Sequence, residues 1–437
     1  MTYKDTIQYL YDSTPLFQHI GAGAYKEGLT TTHKLDDHFG HPHRLYKTIH
    51  VAGTNGKGSC SHTLAAIFQS AGYRVGLYTS PHLLDFRERI RINGEMIPEQ
   101  FVIDFVEKER SFFEPLHPSF FELATAMAFK YFADENVDIA IVEVGLGGRL
   151  DCTNIIQPEL SIITNISFDH TQFLGDTLAK IAYEKAGIMK KGVPVIIGEV
   201  TSETREVFEQ QSKKVECPII FAEDYPIILN AVPNPSVNFG LNYTLRQGFL
   251  NTTTLYGELG GEYQAKNTNT LLHAIRQLIY NGIRLNDEHI RQGFAQVTSL
   301  TGLLGRWQKI KDKPLVLCDT GHNTGGIKYV SKQLQSLDKP LHIVIGMVND
   351  KDINGVLDLL PRYASYYFTQ ASVKRALPAD QLREMGKNHN LTGNAYPNVA
   401  DAFDSALKNA KEDDVVFVGG SNFIVADFLL HISENGL

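Results

Sequence analysis

Gly53-Thr54-Asn55-Gly56-Lys57-Gly58-Ser59 is a glycine-rich stretch between an apolar run at residues 49–52 and a segment with helical apolar spacing at residues 60–70. The order strand, glycine-rich turn and helix is typical of a loop that binds phosphate groups. Glycines let backbone N–H groups approach an anion, and the helix N-terminus adds a positive dipole. Lys57 supplies a positive charge at the same place. The stretch therefore predicts a site for a nucleoside triphosphate in an α/β protein.

The stretch departs from the common phosphate-binding loop, G-x-x-x-x-G-K-[ST], at two positions. Val51 occupies the place of the first glycine, and Gly58 separates Lys57 from Ser59. An ordinary strand-to-helix turn is the alternative interpretation, because the chain contains 36 glycines. The inserted glycine leaves open whether Ser59 places its hydroxyl group on a magnesium ion.

The composition is that of a globular protein with a large core. The chain has 437 residues, enough for two to three domains of about 150 residues each. No apolar run reaches the length of about 18 residues that a membrane span needs, and the N-terminus lacks the apolar centre of a signal peptide. Its four scattered cysteines form no C-x-x-C pair, and the net charge is −8 without a basic cluster. We expect a cytoplasmic protein that binds neither nucleic acid nor a membrane.

Continuous apolar runs alternate with helical patterns along the first part of the chain, which predicts a mostly parallel sheet with helices on both faces. The predicted strands are residues 49–52, 75–78, 139–144, 160–164 and 193–197. The predicted helices are residues 59–70, 98–108, 121–134 and 177–190. Residues 239–260 alternate between apolar and polar residues with glycine breaks, and predict a small antiparallel β addition.

A second series of strands and helices follows, with predicted strands at residues 315–318, 342–345, 365–369 and 415–418. We therefore expect an α/β protein of two domains. The first, residues 1–298, is a P-loop-type ATP-binding domain. The second, residues 299–437, is a Rossmann-like α/β domain, and the boundary lies where Thr, Ser and Gly cluster.

Polar residues follow three of the predicted strands, at the sheet edge where open α/β proteins place their ligands. Ser80 lies just after the second strand, Glu143 ends the third, and His170 follows the fourth. A hydroxyl and a carboxylate at this edge predict a magnesium site, to which a histidine would add a ligand. The alternatives are a turn at Ser80 and purely structural roles for Glu143 and His170. The spacing of Lys185 by itself predicts only a solvated helix residue.

These strings taken together resemble folylpolyglutamate synthase and dihydrofolate synthase, a branch of the Mur-ligase-like, ATP-dependent amide ligases. They occur in the family order over nearly the whole chain. The matching strings are Ile49-His-Val-Ala-Gly-Thr-Asn-Gly-Lys-Gly-Ser59, Thr79-Ser-Pro-His-Leu83, Glu88-Arg-Ile90, Glu143-Val-Gly-Leu-Gly-Gly-Arg-Leu-Asp151, Asp169-His170, Glu184-Lys-Ala-Gly187, Tyr263-Gln-Ala-Lys-Asn267, Gly305-Arg306, Asp319 with His322-Asn323, and Asp350-Lys-Asp352.

Four positions depart from the family pattern. The string usually written D-G-A-H-N is Asp319-Thr320-Gly321-His322-Asn323 here, so threonine and glycine replace the two small residues after the aspartate. Leu304 stands where a proline usually precedes Gly-Arg, and Asn422 stands where a leucine usually follows Gly-Ser. None of these departures removes a charged group.

The resemblance implies a reaction in which ATP phosphorylates a carboxylate of a pterin substrate and the amino group of L-glutamate attacks the acyl phosphate. It implies that Lys57 and magnesium neutralise the transferred phosphoryl group. It also implies that Ser80 and Glu143 hold a first magnesium ion and that His170 holds a second metal ion. Lys185, by the same resemblance, is carbamylated and helps to position that second ion.

The resemblance further implies contacts with the nucleotide and the other substrates. Nucleotide contacts would come from residues 53–59 and from Asn267, Arg306, Asp319 and His322. Substrate contacts would come from His82, Arg89, Phe121, Asp151 and Ser421. Phe121 could instead be a core aromatic residue, and Arg89 could instead form a surface salt bridge.

The acceptor of glutamate is the main open choice. The string around Arg149 and Asp151 favours a bifunctional enzyme that uses dihydropteroate and folates, and the alternative is a folylpolyglutamate synthase alone. A peptidoglycan Mur ligase fits less well, because Gly58-Ser59 replaces the two hydroxyl residues usual there. A P-loop ATPase module would leave the second domain without a role. We expect a monomer.

Overall fold

A computed structural model describes residues 1–14, 28–234, 239–349 and 351–435. The chain forms two compact units: residues 1–231, 243–256 and 265–303 belong to the first, and residues 232–242, 257–264 and 304–437 to the second. Two short segments of the second unit thus precede residue 298, where the sequence places a single linear boundary. That boundary stays a prediction. Asp350 of the Asp350-Lys-Asp352 string lies outside the described residues.

An eight-stranded sheet forms the centre of the first unit, in the order β4-β3-β2-β5-β1-β6-β7-β8. The pairs from β2 to β8 are parallel, whereas β3 and β4 form an antiparallel edge. The predicted mostly parallel sheet is therefore confirmed. The strands are β1 Lys47–Ala52, β2 Val75–Tyr78, β3 Ile90–Ile92, β4 Glu95–Met96, β5 Ile139–Glu143, β6 Leu160–Ile163, β7 Val195–Ile197 and β8 Ile219–Phe221.

The helices of the first unit follow the strands as a doubly wound fold requires. Helix α3 is buried along most of its length, and it packs closely on α10, where a Cβ atom at Gly293 would lie 2.4 Å from Ile67 Cγ1. The helices are α1 Tyr3–Ser13, α2 Thr30–His38, α3 Lys57–Ser70, α4 Glu99–Phe113, α5 Phe120–Asp134, α6 Thr171–Leu174, α7 Leu178–Ala186, α8 Ser202–Val215, α9 Gln264–Tyr280, α10 Asp287–Ala295 and α11 Val297–Thr301.

A separate three-stranded sheet occupies the region of the predicted β addition. Its strands are β9 Ile228–Asn234, β10 Gly240–Leu245 and β11 Thr254–Gly257, in the order β11-β10-β9. The division between the two units runs within these strands.

A six-stranded sheet forms the second unit, in the order β12-β13-β17-β14-β15-β16, and only β12 is antiparallel to its neighbour. Its largest fully buried side chain is Trp307. The strands are β12 Gln308–Lys311, β13 Leu315–Asp319, β14 Leu341–Ile345, β15 Ser365–Phe368, β16 Thr392–Ala395 and β17 Val415–Gly419. The helices are α12 Thr324–Ser336, α13 Ile353–Leu359, α14 Ala379–Asn388, α15 Val399–Asn409 and α16 Asn422–Asn435.

Most of the strands that the sequence did not predict lie at sheet edges, and the exception is β3, which lies between β2 and β4. β4, β12 and β16 are short and partly exposed, so their residues need no continuous apolar run. Helix α7 ends at Ala186 rather than at the predicted residue 190. Among the described residues, we find no helix with the length and apolar character that a membrane crossing demands.

The first testable prediction concerns the centre of the first sheet. Ile141 on β5 is fully buried between Ile49 of β1 and Leu77 of β2. We expect Ile141→Ala to lower the free energy of unfolding by about 2–5 kcal/mol, because it removes buried methyl groups and leaves a cavity. The control Leu45→Ala, at a residue that is 73% exposed, should change it by less than about 0.5 kcal/mol. Urea denaturation measures both, and equal effects would contradict the assigned burial.

Candidate functional site

The glycine-rich loop between β1 and α3 is fixed by hydrogen bonds that it donates to residues that follow β6. The Thr54 N–H donates to Asn165 O at 2.9 Å, and the Asn55 N–H donates to Asn165 Oδ1 at 3.0 Å. The Thr54 hydroxyl donates to Ser167 O at 3.1 Å. These bonds fix the loop next to the N-terminus of a 14-residue helix, the arrangement that favours an anion.

Two loop glycines are required by close contacts as well as by conformation. Gly53 and Gly56 have φ angles of 145° and 84°, which L residues rarely adopt. A Cβ atom at Gly53 would lie 1.8 Å from Thr164 Oγ1, and one at Gly56 would lie 2.3 Å from Asn267 Oδ1. Asn267, a predicted nucleotide contact, therefore lies against the loop.

Two lysines meet at one carbonyl of this loop. Lys57 Nζ donates to Gly53 O at 3.0 Å and to Thr54 O at 3.2 Å, and Lys185 Nζ donates to Gly53 O at 2.9 Å. Lys185 is 4% exposed, so the solvated position that its spacing predicts is wrong. Burial, with the positive charge of Lys57, lowers the pKa of Lys185 to about 7, although Asp169 and Asp151 oppose the shift.

Glu143 and Ser80 are brought together by two neighbouring parallel strands. Glu143 ends β5 and is 3% exposed, and its Oε2 atom accepts a hydrogen bond from the Ser80 N–H at 3.0 Å. The carboxylate and the nearby hydroxyl are hard oxygen donors of the kind that magnesium prefers. The donor set of this corner therefore fits the predicted first metal site.

His170 lies at the start of the short helix α6. Its φ angle is 50°, and its Nε2 atom is 3.9 Å from Asp169 Oδ1. About a quarter of its side chain is exposed. The charge of Asp169 opposes the lowering of the Lys185 pKa, so Asp169, the residue before His170, interacts electrostatically with Lys185. The predicted metal-binding role of His170 stays a prediction.

The loop after β5 is organised by a buried aspartate. Asp151 Oδ2 accepts from the Leu146 N–H at 2.8 Å, and Asp151 Oδ1 accepts from the Thr153 N–H at 3.0 Å. The Thr153 hydroxyl also bonds to Asp151 and lies 2.8 Å from His50 Nε2. Burial raises the pKa of Asp151. Its role in the structure is to hold the loop, and its predicted contact with a pterin ring stays a prediction.

Arg89 and His82, both predicted substrate contacts, contact each other. Arg89 Nε donates to His82 Nδ1 at 2.7 Å, so Nδ1 is the acceptor, and Tyr11 Oη is 3.4 Å from His82 Nε2. Arg89 is 3% exposed and lies over the ring of Phe120, and burial lowers its pKa. A surface salt bridge is therefore the wrong description of Arg89. Its contact with a substrate carboxylate stays a prediction.

The side chain of Phe121 packs against the core and is also partly accessible. Its ring stacks on Tyr78 with centroids 5.7 Å apart, and it is only partly buried. A Cβ atom at Gly145 would lie 2.3 Å from its ring, so the loop after β5 passes directly over it. The predicted pterin contact of Phe121 stays a prediction.

In the second unit, Asp319 at the end of β13 is a buried hydrogen-bond acceptor. Its Oδ2 atom accepts from Tyr263 Oη and from the Trp307 N–H, each at 2.7 Å, and its Oδ1 atom accepts from the Gly321 N–H at 2.7 Å. Burial raises the pKa of Asp319. Three of its acceptor positions are thus used within the unit.

The other predicted contacts of the second unit lie near strand ends. Arg306 Nη1 donates to Thr320 Oγ1 and to Gly305 O. His322 Nδ1 is 3.0 Å from Thr320 O, to which it donates. Ser421 caps α16, where its Oγ atom accepts from the Ile424 N–H at 3.2 Å. The ligand contacts proposed for these residues stay predictions.

Sequence reasoning missed the residues that support the loop and the buried aspartate. Thr164, Asn165 and Ser167 hold the glycine-rich loop, and Thr320 contacts Arg306. Their signal was position, because each is the last residue of a predicted strand or lies within three residues of its end. Polar residues there lie beside those that follow the neighbouring parallel strand.

Two family models match the chain. The Mur ligase middle domain matches residues 51–225, and the Mur ligase glutamate ligase domain matches residues 305–422.

Curated relatives are similar to most of the chain. A dihydrofolate synthase/folylpolyglutamate synthase of Haemophilus influenzae is 34% identical, with 88% of this chain and 89% of that protein covered. A probable bifunctional folylpolyglutamate synthase/dihydropteroate synthase of Haloferax volcanii is 32% identical over 98% of this chain, and the chain spans 50% of the length of that relative.

Solved structures with the same fold include ligand complexes. E. coli FolC in complex with DHPP and ADP has a TM-score of 0.83 and 29% identity, with 100% of this chain and 99% of that chain covered. A bifunctional folylpolyglutamate synthase/dihydrofolate synthase with Mn, AMPPNP and L-glutamate bound has a TM-score of 0.80 and 28% identity, with 100% and 98% covered.

The second prediction tests the loop with a pair of glycines of equal conformation. Gly56 and Gly72 have φ angles of 84° and 82°, but a Cβ atom meets Asn267 only at Gly56 and nothing within 4 Å at Gly72. Both alanine variants should lose about 1–2 kcal/mol of stability through the backbone. Only Gly56→Ala should also weaken ATP binding, by about tenfold or more. Calorimetric titration with Mg-ATP measures the difference, and an equal loss of affinity in Gly72→Ala would refute this role of the loop.

Proposed function

The chain belongs to the folylpolyglutamate synthase and dihydrofolate synthase branch of the Mur ligase family, and we therefore propose that it joins L-glutamate to dihydropteroate and to folates. As a member of that family it is an ATP-dependent amide ligase that forms ADP. The observation that carries the proposal is the pair Lys57 and Lys185 on the Gly53 carbonyl. A simple P-loop ATPase needs only one lysine at this position.

In the proposed reaction, a carboxylate oxygen of the pterin substrate attacks the γ-phosphorus of ATP and ADP leaves. The amino nitrogen of L-glutamate then attacks the acyl carbon of the resulting acyl phosphate. The tetrahedral intermediate loses phosphate and a proton to give the amide. The transfer of the phosphoryl group brings negatively charged phosphate oxygens close to the phosphate loop. Lys57 and the loop N–H groups are the elements of this chain that oppose that charge.

A divalent metal ion would neutralise the phosphate oxygens further. Glu143 and Ser80 supply oxygen donors at one corner of the sheet, which fits a magnesium ion. His170 would supply a nitrogen ligand to a second metal ion beside Asp169. The count of two ions, like the monomeric state of the protein, stays a prediction.

Lys185 is the residue proposed to carry a carbamate. A carbamate forms when a neutral amine nitrogen attacks the carbon of CO₂ and releases one proton. A pKa of about 7 leaves a substantial neutral fraction of Lys185 near physiological pH, whereas an ordinary lysine has almost none. The product is an anion, which would lie beside the cationic Lys57 instead of repelling it. It would also offer oxygen ligands near Asp169.

The pterin substrate is proposed to contact His82, Arg89 and Asp151, which lie on the segments that follow β2 and β5. It is also proposed to contact Phe121 at the start of α5, whose ring lies under the loop after β5. Glutamate is proposed to contact Ser421 in the second unit, and the nucleotide to contact Arg306, Asp319 and His322. A folylpolyglutamate synthase without dihydropteroate activity is the main alternative. The Haloferax relative, a probable bifunctional folylpolyglutamate synthase/dihydropteroate synthase, is about twice as long as this chain. Dihydropteroate synthase activity is not part of the proposal.

The third prediction is the direct test of function. Purified protein with ATP and magnesium should release ADP only when L-glutamate is present with dihydropteroate or with tetrahydrofolate. Turnover with both acceptors is expected. Turnover with tetrahydrofolate alone would limit the enzyme to chain extension. Hydrolysis of ATP that ignores glutamate and both acceptors would refute the ligase and favour an ATPase. Glu143→Gln should abolish turnover, since it removes the negative charge proposed for metal binding.

The fourth prediction concerns the modification of Lys185. After equilibration with ¹³C-bicarbonate, the ¹³C NMR spectrum should contain a carbamate signal at pH 8. The signal should decrease as the pH falls through about 7, because protonation of Lys185 removes the nucleophile. Lys185→Met should lack the signal. Lys180→Met, on the exposed face of the same helix, should keep it. A signal that persists in Lys185→Met would assign the carbamate elsewhere.

A further inference from the structure

Thr320 is the least expected residue of the string Asp319-Thr320-Gly321-His322-Asn323. It is 5% exposed and directly follows β13. Its hydroxyl donates to Gly305 O at 3.1 Å and accepts from Arg306 Nη1. One buried hydroxyl thus uses both its donor and an acceptor position on the turn that carries Arg306.

The turn that carries Arg306 is held in an unusual conformation. Gly305 and Trp307 on either side of Arg306 have φ angles of 68° and 47°. A positive φ angle is unfavourable for a bulky residue such as Trp307 and persists only where the surroundings impose it. The imposing bonds are Trp307 N–H to Asp319, Gly305 N–H to Gln308 Oε1 at 2.8 Å, and the Thr320 N–H to Gly305 O at 3.0 Å.

The guanidinium of Arg306 is anchored by one nitrogen only. Nη1 donates to Thr320 Oγ1 and to Gly305 O, whereas Nε and Nη2 donate no hydrogen bond to any residue that the structure describes. The edge formed by Nε and Nη2 is the edge that binds a carboxylate or phosphate group through two parallel hydrogen bonds. Fixing Nη1 therefore orients the free edge before an anion arrives.

We propose that Thr320 is a positioning residue, which holds Arg306 through its hydroxyl so that the Nε–Nη2 edge is preset for a phosphate group of the nucleotide. The proposal rests on the proposed function in taking a nucleotide as the ligand. Its energetic basis is preorganisation: a long, flexible arginine that is already fixed loses less side-chain entropy on binding. Thr320 touches no reacting atom in this scheme and acts only through Arg306.

The test compares three substitutions by calorimetric titration with Mg-ADP. Thr320→Val removes the hydroxyl at nearly constant shape and should raise the Kd for ADP about tenfold. Thr320→Ser keeps the hydroxyl and should bind ADP nearly as well as the unmodified protein. Thr369→Val is the matched control, since Thr369 is also buried in the second unit and its hydroxyl has no partner among the described residues. It should leave the Kd unchanged.

A double-substitution cycle separates positioning from a general loss of structure. In an Arg306→Ala background, Thr320→Val should have no further effect on the Kd, because the group that it orients is gone. Additive effects, or a Kd unchanged in Thr320→Val alone, would overturn the proposal. Emission of Trp307, the single tryptophan of the chain, reports whether the second unit of each variant is folded.

These measurements distinguish a failure of the Thr320 proposal from a failure of the proposed function. ADP binding is measured without glutamate or any pterin. A protein that binds ADP with the expected dependence on Thr320 but releases no ADP with glutamate would keep this inference and refute the ligase. Glutamate-dependent turnover with an ADP affinity that ignores Thr320 would do the reverse.

Discussion

The carbonyl oxygen of Gly53 accepts hydrogen bonds from two lysine ammonium groups, and the site of the first unit depends on that arrangement. Two positive charges so close together repel, and one of them is buried. Burial, together with the positive charge of Lys57, lowers the pKa of Lys185, and a negative charge next to the loop would be stabilised there. The proposed nucleoside triphosphate, or the proposed carbamate of Lys185, would supply that negative charge. The same geometry thus links the choice of ligand to the state of one side chain.

The second unit uses a buried acceptor in a comparable way. The Asp319 carboxylate accepts from Tyr263, Trp307 and Gly321, and so holds a turn with a positive φ angle next to Arg306. Removal of a buried acceptor leaves several donors without partners, which costs more than the net value of any single hydrogen bond. In both units a buried oxygen fixes the backbone and a cation projects from the fixed segment. Each cation is therefore held in place before a ligand binds.

The sequence predicted the interior parallel strands of both sheets because they are buried on both faces and need continuous apolar runs. It missed the edge strands β4, β8, β12 and β16, since an edge strand is short and its residues are free to be polar. It also missed β3, a strand of three residues between β2 and β4. It also missed the supporting residues Thr164, Asn165 and Thr320, which carry no motif of their own. Their contribution is a hydrogen bond to a segment more than ten residues away along the chain.

Lys185 shows the difference between what the sequence predicts and what only the tertiary structure reveals. The sequence by itself determined the α/β class and the family, and it predicted the phosphate loop, because apolar periodicity and ordered strings are local properties of the chain. Only the tertiary structure decided that Lys185 is buried on the Gly53 carbonyl, that Arg89 is buried against His82, and that Arg306 is anchored by Thr320. Helical spacing states which face a residue occupies on its own helix. Whether that face meets solvent or another strand depends on how the elements pack, and the pKa of the residue follows from that packing.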